Sequence, residues 1–173
     1  TAYEIKECDW FRRVLFRSWQ MWVRSPLAAP WAEPSNYFLS VTAHGVSMAF
    51  VLTTFFIMGF GYFTAQTALE RPLPWRPAAW GAFAAGLVGV GLSVAAILRG
   101  DASVLYTFYP PLTASPDFYF GLILVVAASW VWCAIMIVAM RRWKRANPGR
   151  PTPLAMFATV ANAVMWLRSE EHT

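Results

Sequence analysis

The feature that most constrains this chain is a long stretch without charge. Between Glu33 and Glu70 there is no Asp, Glu, Lys or Arg, and the segment YFLSVTAHGVSMAFVLTTFFIMGFGYFTA inside it is longer than the about 20 apolar residues that cross a hydrocarbon core. A second uncharged run extends from Pro77 to Leu98 and a third from Phe118 to Met140, each close to one bilayer thickness. A fourth, Pro151 to Leu167, is about three residues short of a span and reads as truncated. Backbone groups in lipid must be satisfied within the segment or in a closed barrel, and these runs lack the period-2 alternation of barrel strands. The expected fold is therefore all-α, a polytopic membrane helix bundle of three full transmembrane helices and part of a fourth. Composition agrees: 58% of residues are hydrophobic and 13% charged, with mean hydropathy +0.44. The ten Trp, thirteen Phe and six Tyr suit interfacial belts better than a soluble core.

A net charge of +5 suggests nucleic acid only if the charge forms a surface patch. Here it lies between the apolar runs. Arg141, Arg142, Lys144, Arg145 and Arg150 crowd the third connection, and Arg71 and Arg76 flank the first, which places both on the cytoplasmic side. The middle connection balances Arg99 against Asp101 and Asp117, and the segment before Tyr37 balances Arg24 against Glu33, so both face outward. The run RRWKRANPGR, directly after a span, is a topology signal rather than an RNA site, and no nucleic-acid partner is expected. The first apolar run is too long for a signal-peptide core.

The two ends differ from the rest. Residues 1–18 mix charge and aromatics without helical or strand period, and 168–173 cut off an apolar helix after Leu167. Both resemble translated adaptor sequence, which leaves 19–167 as a fragment of one transmembrane domain. Cys8 and Cys133 form neither a disulfide framework nor a CxxC metal motif. Within GAFAAGLVGVGLSVAA, Gly81, Ala85 and Gly89 recur every four residues, a small-residue seam suited to close helix packing.

Apart from Tyr and Cys, the one ionisable side chain inside the expected spans is His44. Seven residues past Tyr37, it lies about 10 Å below the outer end of its helix, where an imidazole has to be paired, metal-bound or hydrated. Neutral His is a common axial ligand of haem iron, so haem ligation and hydrogen bonding across a helix seam both remain open at this point. Ser40 and Ser47 flank His44 at helical spacing, and Ser40 offers an acceptor for the second ring nitrogen. No Ser-His-Asp set, phosphate-binding Gly loop or zinc-spaced cluster accompanies it. Tyr106 and Tyr109, in the Pro-bounded stretch VLYTFYPPL, are the next candidates, with interfacial anchoring as their alternative reading.

Taken in order, SVTAHGVSMAFVLTTFFIMGFGY, VLYTFYPPL and RRWKRANPGRPTPL resemble subunit I of the haem-copper oxygen reductases, particularly the B-type cytochrome c oxidases, from about Trp19 to Leu167. The resemblance implies that the first span corresponds to the family's second transmembrane helix and that His44 is an axial ligand of low-spin haem b. It implies roles for Tyr106 and Tyr109 near the haem and the oxygen route. It further implies, for a full-length parent in the prokaryotic cytoplasmic (inner) membrane, a high-spin haem and CuB. The implied partners are a subunit II with a copper centre, cytochrome c as donor, dioxygen as acceptor and membrane lipid. The resemblance also implies proton translocation. The catalytic residues of the family lie beyond Leu167, so none is expected in this fragment, and one axial ligand alone is not expected to hold haem stably. Nitric oxide reductase shares the fold and the second-helix His, and a non-redox bundle or transporter with a packing or gating His44 is the alternative from another class.

Overall fold

The structure is a computed structural model that describes residues 17–19, 21, 22, 25, 34–105 and 107–169. The terminal stretches read as foreign fall largely outside these residues, as does Tyr106. Among the described residues the fold is helical, with one isolated bridge between Ala102 and Ala114 in place of any strand.

Three helices are long and apolar enough to cross a membrane. The first runs from Ser35 to Leu69. It comprises α1 (Pro34–Gly45), a π-helical segment (Val46–Leu52) and α2 (Thr53–Leu69). Expected helical throughout, it is continuous, but its middle is wound with i→i+5 bonding rather than a single 3.6-residue period. The side chain of Thr53 follows that bonding, its hydroxyl donating to the Met48 carbonyl five residues back at 3.0 Å. Glu70 and Trp75, both left-handed, bracket the Pro72 and Pro74 turn into α3 (Arg76–Leu98), which begins with proline in its first turn.

The third span is α4 (Pro116–Ala146), again opened by proline. It continues past Met140 through Arg141, Arg142, Lys144 and Arg145, so most of the basic run expected as loop is helix. Lys and Arg are good helix formers and complement the negative C-terminal end of the helix. Gly149, at φ +81°, helps turn the chain into α5 (Leu154–Ser169), which at 16 residues is shorter than a span.

Helix α4 is the centre of the bundle: half of its most apolar window is buried, against 17% for the first span. Its most extensive partner is α3. The seam on α3 consists of Ala82, Gly86, Gly89, Ser93 and Ala96. That corrects the register expected from Gly81, Ala85 and Gly89, since Gly81 is exposed and a Cβ there would meet nothing within 4 Å. The segment is small-residue-rich on several faces, and its partner selects one: Gly89 and Gly121 of α4 bring the two backbones together, and the Ser93 hydroxyl donates to the Phe118 carbonyl at 3.3 Å. Helix α5 closes on the other side, where the Trp166 indole N–H donates to the Ser129 hydroxyl at 2.9 Å.

The core divides in two. One cluster, near the basic end, gathers Met58 and Ala65 with Trp132, Ile135 and Met136 of α4 and Met156 of α5. The other lies under the 99–115 connection and gathers Val46, Ala96, Ala102, Val104, Phe118 and Leu122. The second cluster positions the candidate site.

Candidate functional site

His44 stands where α-helical winding gives way to π-helical winding, two residues before the π-helical segment begins at Val46. Such segments often mark functional positions. Residues two apart on a helix lie on opposite sides. Thr42 and Val46, on either side of His44, are 0% and 2% exposed and face the bundle, whereas His44 is exposed. The imidazole is therefore not on the seam between the described helices. It shares an open face with Met48, Leu52, Phe56 and Phe60, all exposed, the last two with stacked rings at 6.2 Å.

Ser40, one turn earlier, donates its hydroxyl proton to the Tyr37 carbonyl at 2.8 Å. Its oxygen lone pairs stay chemically capable of accepting from a neighbouring ring N–H. Ser47 is half-buried within the π-helical segment.

The 99–115 connection is tied down within itself and to the bundle face of the helix that carries His44. Ala102 and Ala114 form the bridge, the Ser115 amide donates to the Asp101 carbonyl at 2.8 Å, and Arg99 reaches Asp101 at 3.3 Å and Asp117 at 2.9 Å. The connection is also tied directly to α1. The Leu105 amide donates to the Thr42 hydroxyl at 2.8 Å, and that hydroxyl donates to the Phe38 carbonyl at 2.8 Å. Sequence reasoning missed Thr42 because a single buried Thr bridging positions 63 residues apart leaves no local pattern. Tyr109 lies in this connection, 71% exposed, beside the cis Pro110–Pro111 peptide. Tyr106 lies outside the described residues.

Other chemistry is sparse. Cys133 is buried, its thiol 3.6 Å from the Ala163 carbonyl, and no group of three His, Cys, Asp or Glu side chains is assembled among the described residues. A second, mostly apolar cleft lies between the first span, α4 and α5, with Thr53, Thr54, Ser129, Trp132 and Asn162 in its wall.

Comparison with known proteins places this geometry. Residues 15–169 match the family described as Cytochrome C and Quinol oxidase polypeptide I. Cytochrome c oxidase subunit 1 of Thermus thermophilus is 40% identical over 140 residues, which cover 76% of this chain and 23% of that protein. A cryo-EM structure of a haem-copper terminal oxidase dimer superposes with a TM-score of 0.72 at 39% identity, covering 76% of this chain and 22% of its own. The chain thus spans less than a quarter of the length of these relatives.

Proposed function

Since the chain belongs to the cytochrome c and quinol oxidase polypeptide I family, the haem-copper oxidase subunit I proteins, we propose that His44 is an axial ligand of a low-spin haem b in a terminal respiratory oxidase. The observation that carries this reading is the placement of His44: an exposed imidazole on an otherwise apolar, membrane-spanning face, while its neighbours Thr42 and Val46 are buried in the bundle. The residues present suit a large, flat, apolar ligand, because Met48, Leu52 and Phe56 leave that face open to be covered.

Bound there, with the His44 imidazole holding its iron, a haem would supply reversible one-electron relay. The chain's own residues hold and orient the imidazole. Ser40 is suited to accept from the ring nitrogen not used for ligation, fixing the tautomer. Thr42, on the opposite face, ties the outer connection to the bundle side of the same helix and so fixes the segment that carries His44.

On this reading the parent takes electrons from cytochrome c through a copper-bearing subunit II, reduces dioxygen to water at a haem-copper centre supplied by segments outside this chain, and translocates protons. It resides in a prokaryotic inner membrane with the basic connections inside. Tyr106 and Tyr109 are proposed to have roles near the haem and the oxygen route. The oxidase portion is proposed as residues 19–167, inside the 15–169 family match, with adaptor-like sequence proposed for the outer ends.

The test is His44→Ala in the full-length parent. The reduced-minus-oxidised spectrum should lose its low-spin haem band while the protein still inserts, and His44→Met should retain ligation with a raised potential. An unchanged spectrum in His44→Ala would falsify the assignment.

A further inference from the structure

At the basic end of the bundle, an open cleft lies between the end of α2, the Pro72–Pro74 turn and the last membrane-level turns of α4. Its inner wall is apolar: Leu69 and Ala139 are buried, and Leu73 and Trp143 are half-buried. Arg71 and Arg142 line it as well, both exposed. The Arg142 guanidinium is held over the Trp75 ring at 5.8 Å from its centroid, an arrangement that restricts the side chain while leaving N–H donors free at its edge. Among the described residues neither arginine forms an ion pair: Asp101 and Asp117 are bound to Arg99 at the opposite end of the bundle, and Glu70, next to Arg71 in sequence, is exposed and makes no ion pair with either arginine, so the cleft keeps a net positive charge.

Three chemical features therefore meet at one cleft: two cations, an apolar wall leading into the membrane-spanning helices, and Trp143 in that wall, with Trp75 beneath the Arg142 guanidinium at the cleft's edge. A free inorganic anion would use the cations and leave the apolar wall wet. A neutral lipid would use the wall and leave the cations unanswered. We propose that this cleft is a binding site for an anionic phospholipid, its phosphate held by Arg71 and Arg142 and an acyl chain lying against Leu69 and Leu73. Basic pockets between membrane helices have this character, and each cation near an anionic membrane surface contributes enough attraction to change occupancy about fivefold. The inference is independent of haem, since the cleft lies at the other end of the first span from His44.

The experiment uses the full-length parent oxidase reconstituted in nanodiscs of phosphatidylcholine doped with phosphatidylglycerol, followed by native mass spectrometry of retained lipid. Wild type should retain phosphatidylglycerol over phosphatidylcholine, and excess inorganic phosphate should not displace it. Arg71→Gln and Arg142→Gln should each reduce retention about fivefold and the double variant about thirtyfold, while Arg150→Gln, which removes the same charge outside the cleft, should leave it unchanged. Equal retention of both lipids, displacement by phosphate, or an equal loss in Arg150→Gln overturns the proposal. A photoactivatable phosphatidylglycerol used with unaltered protein guards against misfolding of the variants. Its crosslinks should map to Leu69, Leu73 or Trp143, and crosslinks confined to other helices also overturn it.

Discussion

The backbones of α3 and α4 come close at Gly89 and Gly121, and this makes a quantitative prediction. A Cβ added at Gly89 would meet the Gly121 carbonyl oxygen, with Leu124 Cβ at 2.9 Å and Val125 Cγ2 at 3.3 Å. The first of these is backbone and cannot rotate aside, so α3 and α4 must separate locally. Overpacking of this kind costs about 1–3 kcal/mol. Parting the helices also stretches the Ser93 hydroxyl's bond to Phe118, worth about 1 kcal/mol. Helix propensity returns about 0.5–1 kcal/mol when Gly becomes Ala. Gly89→Ala should therefore destabilise by about 2 kcal/mol net, combining these ranges. Gly91→Ala is the matched control: it is on the same helix, nothing lies within 4 Å of its Cβ, and only the propensity gain applies. The two variants should differ by about 3 kcal/mol, a shift of about two orders of magnitude in the unfolding equilibrium. Reversible unfolding of the parent in mixed micelles, titrated with SDS and followed by circular dichroism, measures it. If the two variants unfold within about 0.5 kcal/mol of each other, a difference no larger than a neutral surface change, the close packing of α3 on α4 is refuted.

Three further outcomes follow from individual contacts. Thr42→Val removes the acceptor of the Leu105 amide and should cost about 1–3 kcal/mol locally, seen as faster hydrogen exchange at Leu105, whereas Thr42→Ser should behave as wild type. Arg99→Gln breaks pairs whose side chains are about half exposed, so the melting temperature should fall by no more than about 1 kcal/mol implies, and not at all in high salt. Trp132→Phe removes a buried indole N–H that has no hydrogen-bond partner among the described residues, so unfolding should show only the loss of packing area, with no added polar penalty.

The spans were legible because charge is the most expensive thing to place in lipid, so its absence over Glu33 to Glu70 and over the later runs marks helices unambiguously. Their ends were less so. Helix α4 extends through Arg141 to Ala146 because nothing in those residues opposes helix once they leave the bilayer. Two of the three expected α3 seam positions moved by one residue, Gly81 to Ala82 and Ala85 to Gly86, while Gly89 stayed, because GAFAAGLVGVG carries small residues on several faces and the choice among them belongs to Gly121, 32 positions beyond Gly89. At the candidate site, His44 stood out as the lone ionisable group in its span apart from Tyr. The Thr42 to Leu105 tie did not, because it joins a side chain to a backbone across 63 residues, with nothing repeated at either end.

The π-helical segment beside His44 explains a periodicity that a regular helix cannot. The bundle-facing residues Thr42, Val46, Phe50, Thr54 and Met58 follow one another in steps of four, as do His44, Met48, Leu52, Phe56 and Phe60 on the open face. Four such steps at 3.6 residues per turn would carry each stripe about 160° around the axis, leaving Thr42 and Met58 nearly opposite. The wider turns of Val46–Leu52 absorb the excess, so one straight face meets the bundle and the other carries His44 in line with Phe56 and Phe60. A one-residue deletion distinguishes this from incidental winding. Removing Ala49 from the full-length parent should convert the segment to ordinary helix and keep Thr42 and His44 on their faces, so the low-spin haem band is retained. Removing Gly59, within regular helix and with nothing near its Cβ, should turn the outer half about 100° relative to the inner half and abolish the band. Equal loss from both deletions would mean that the π-helical segment does not set the register of His44.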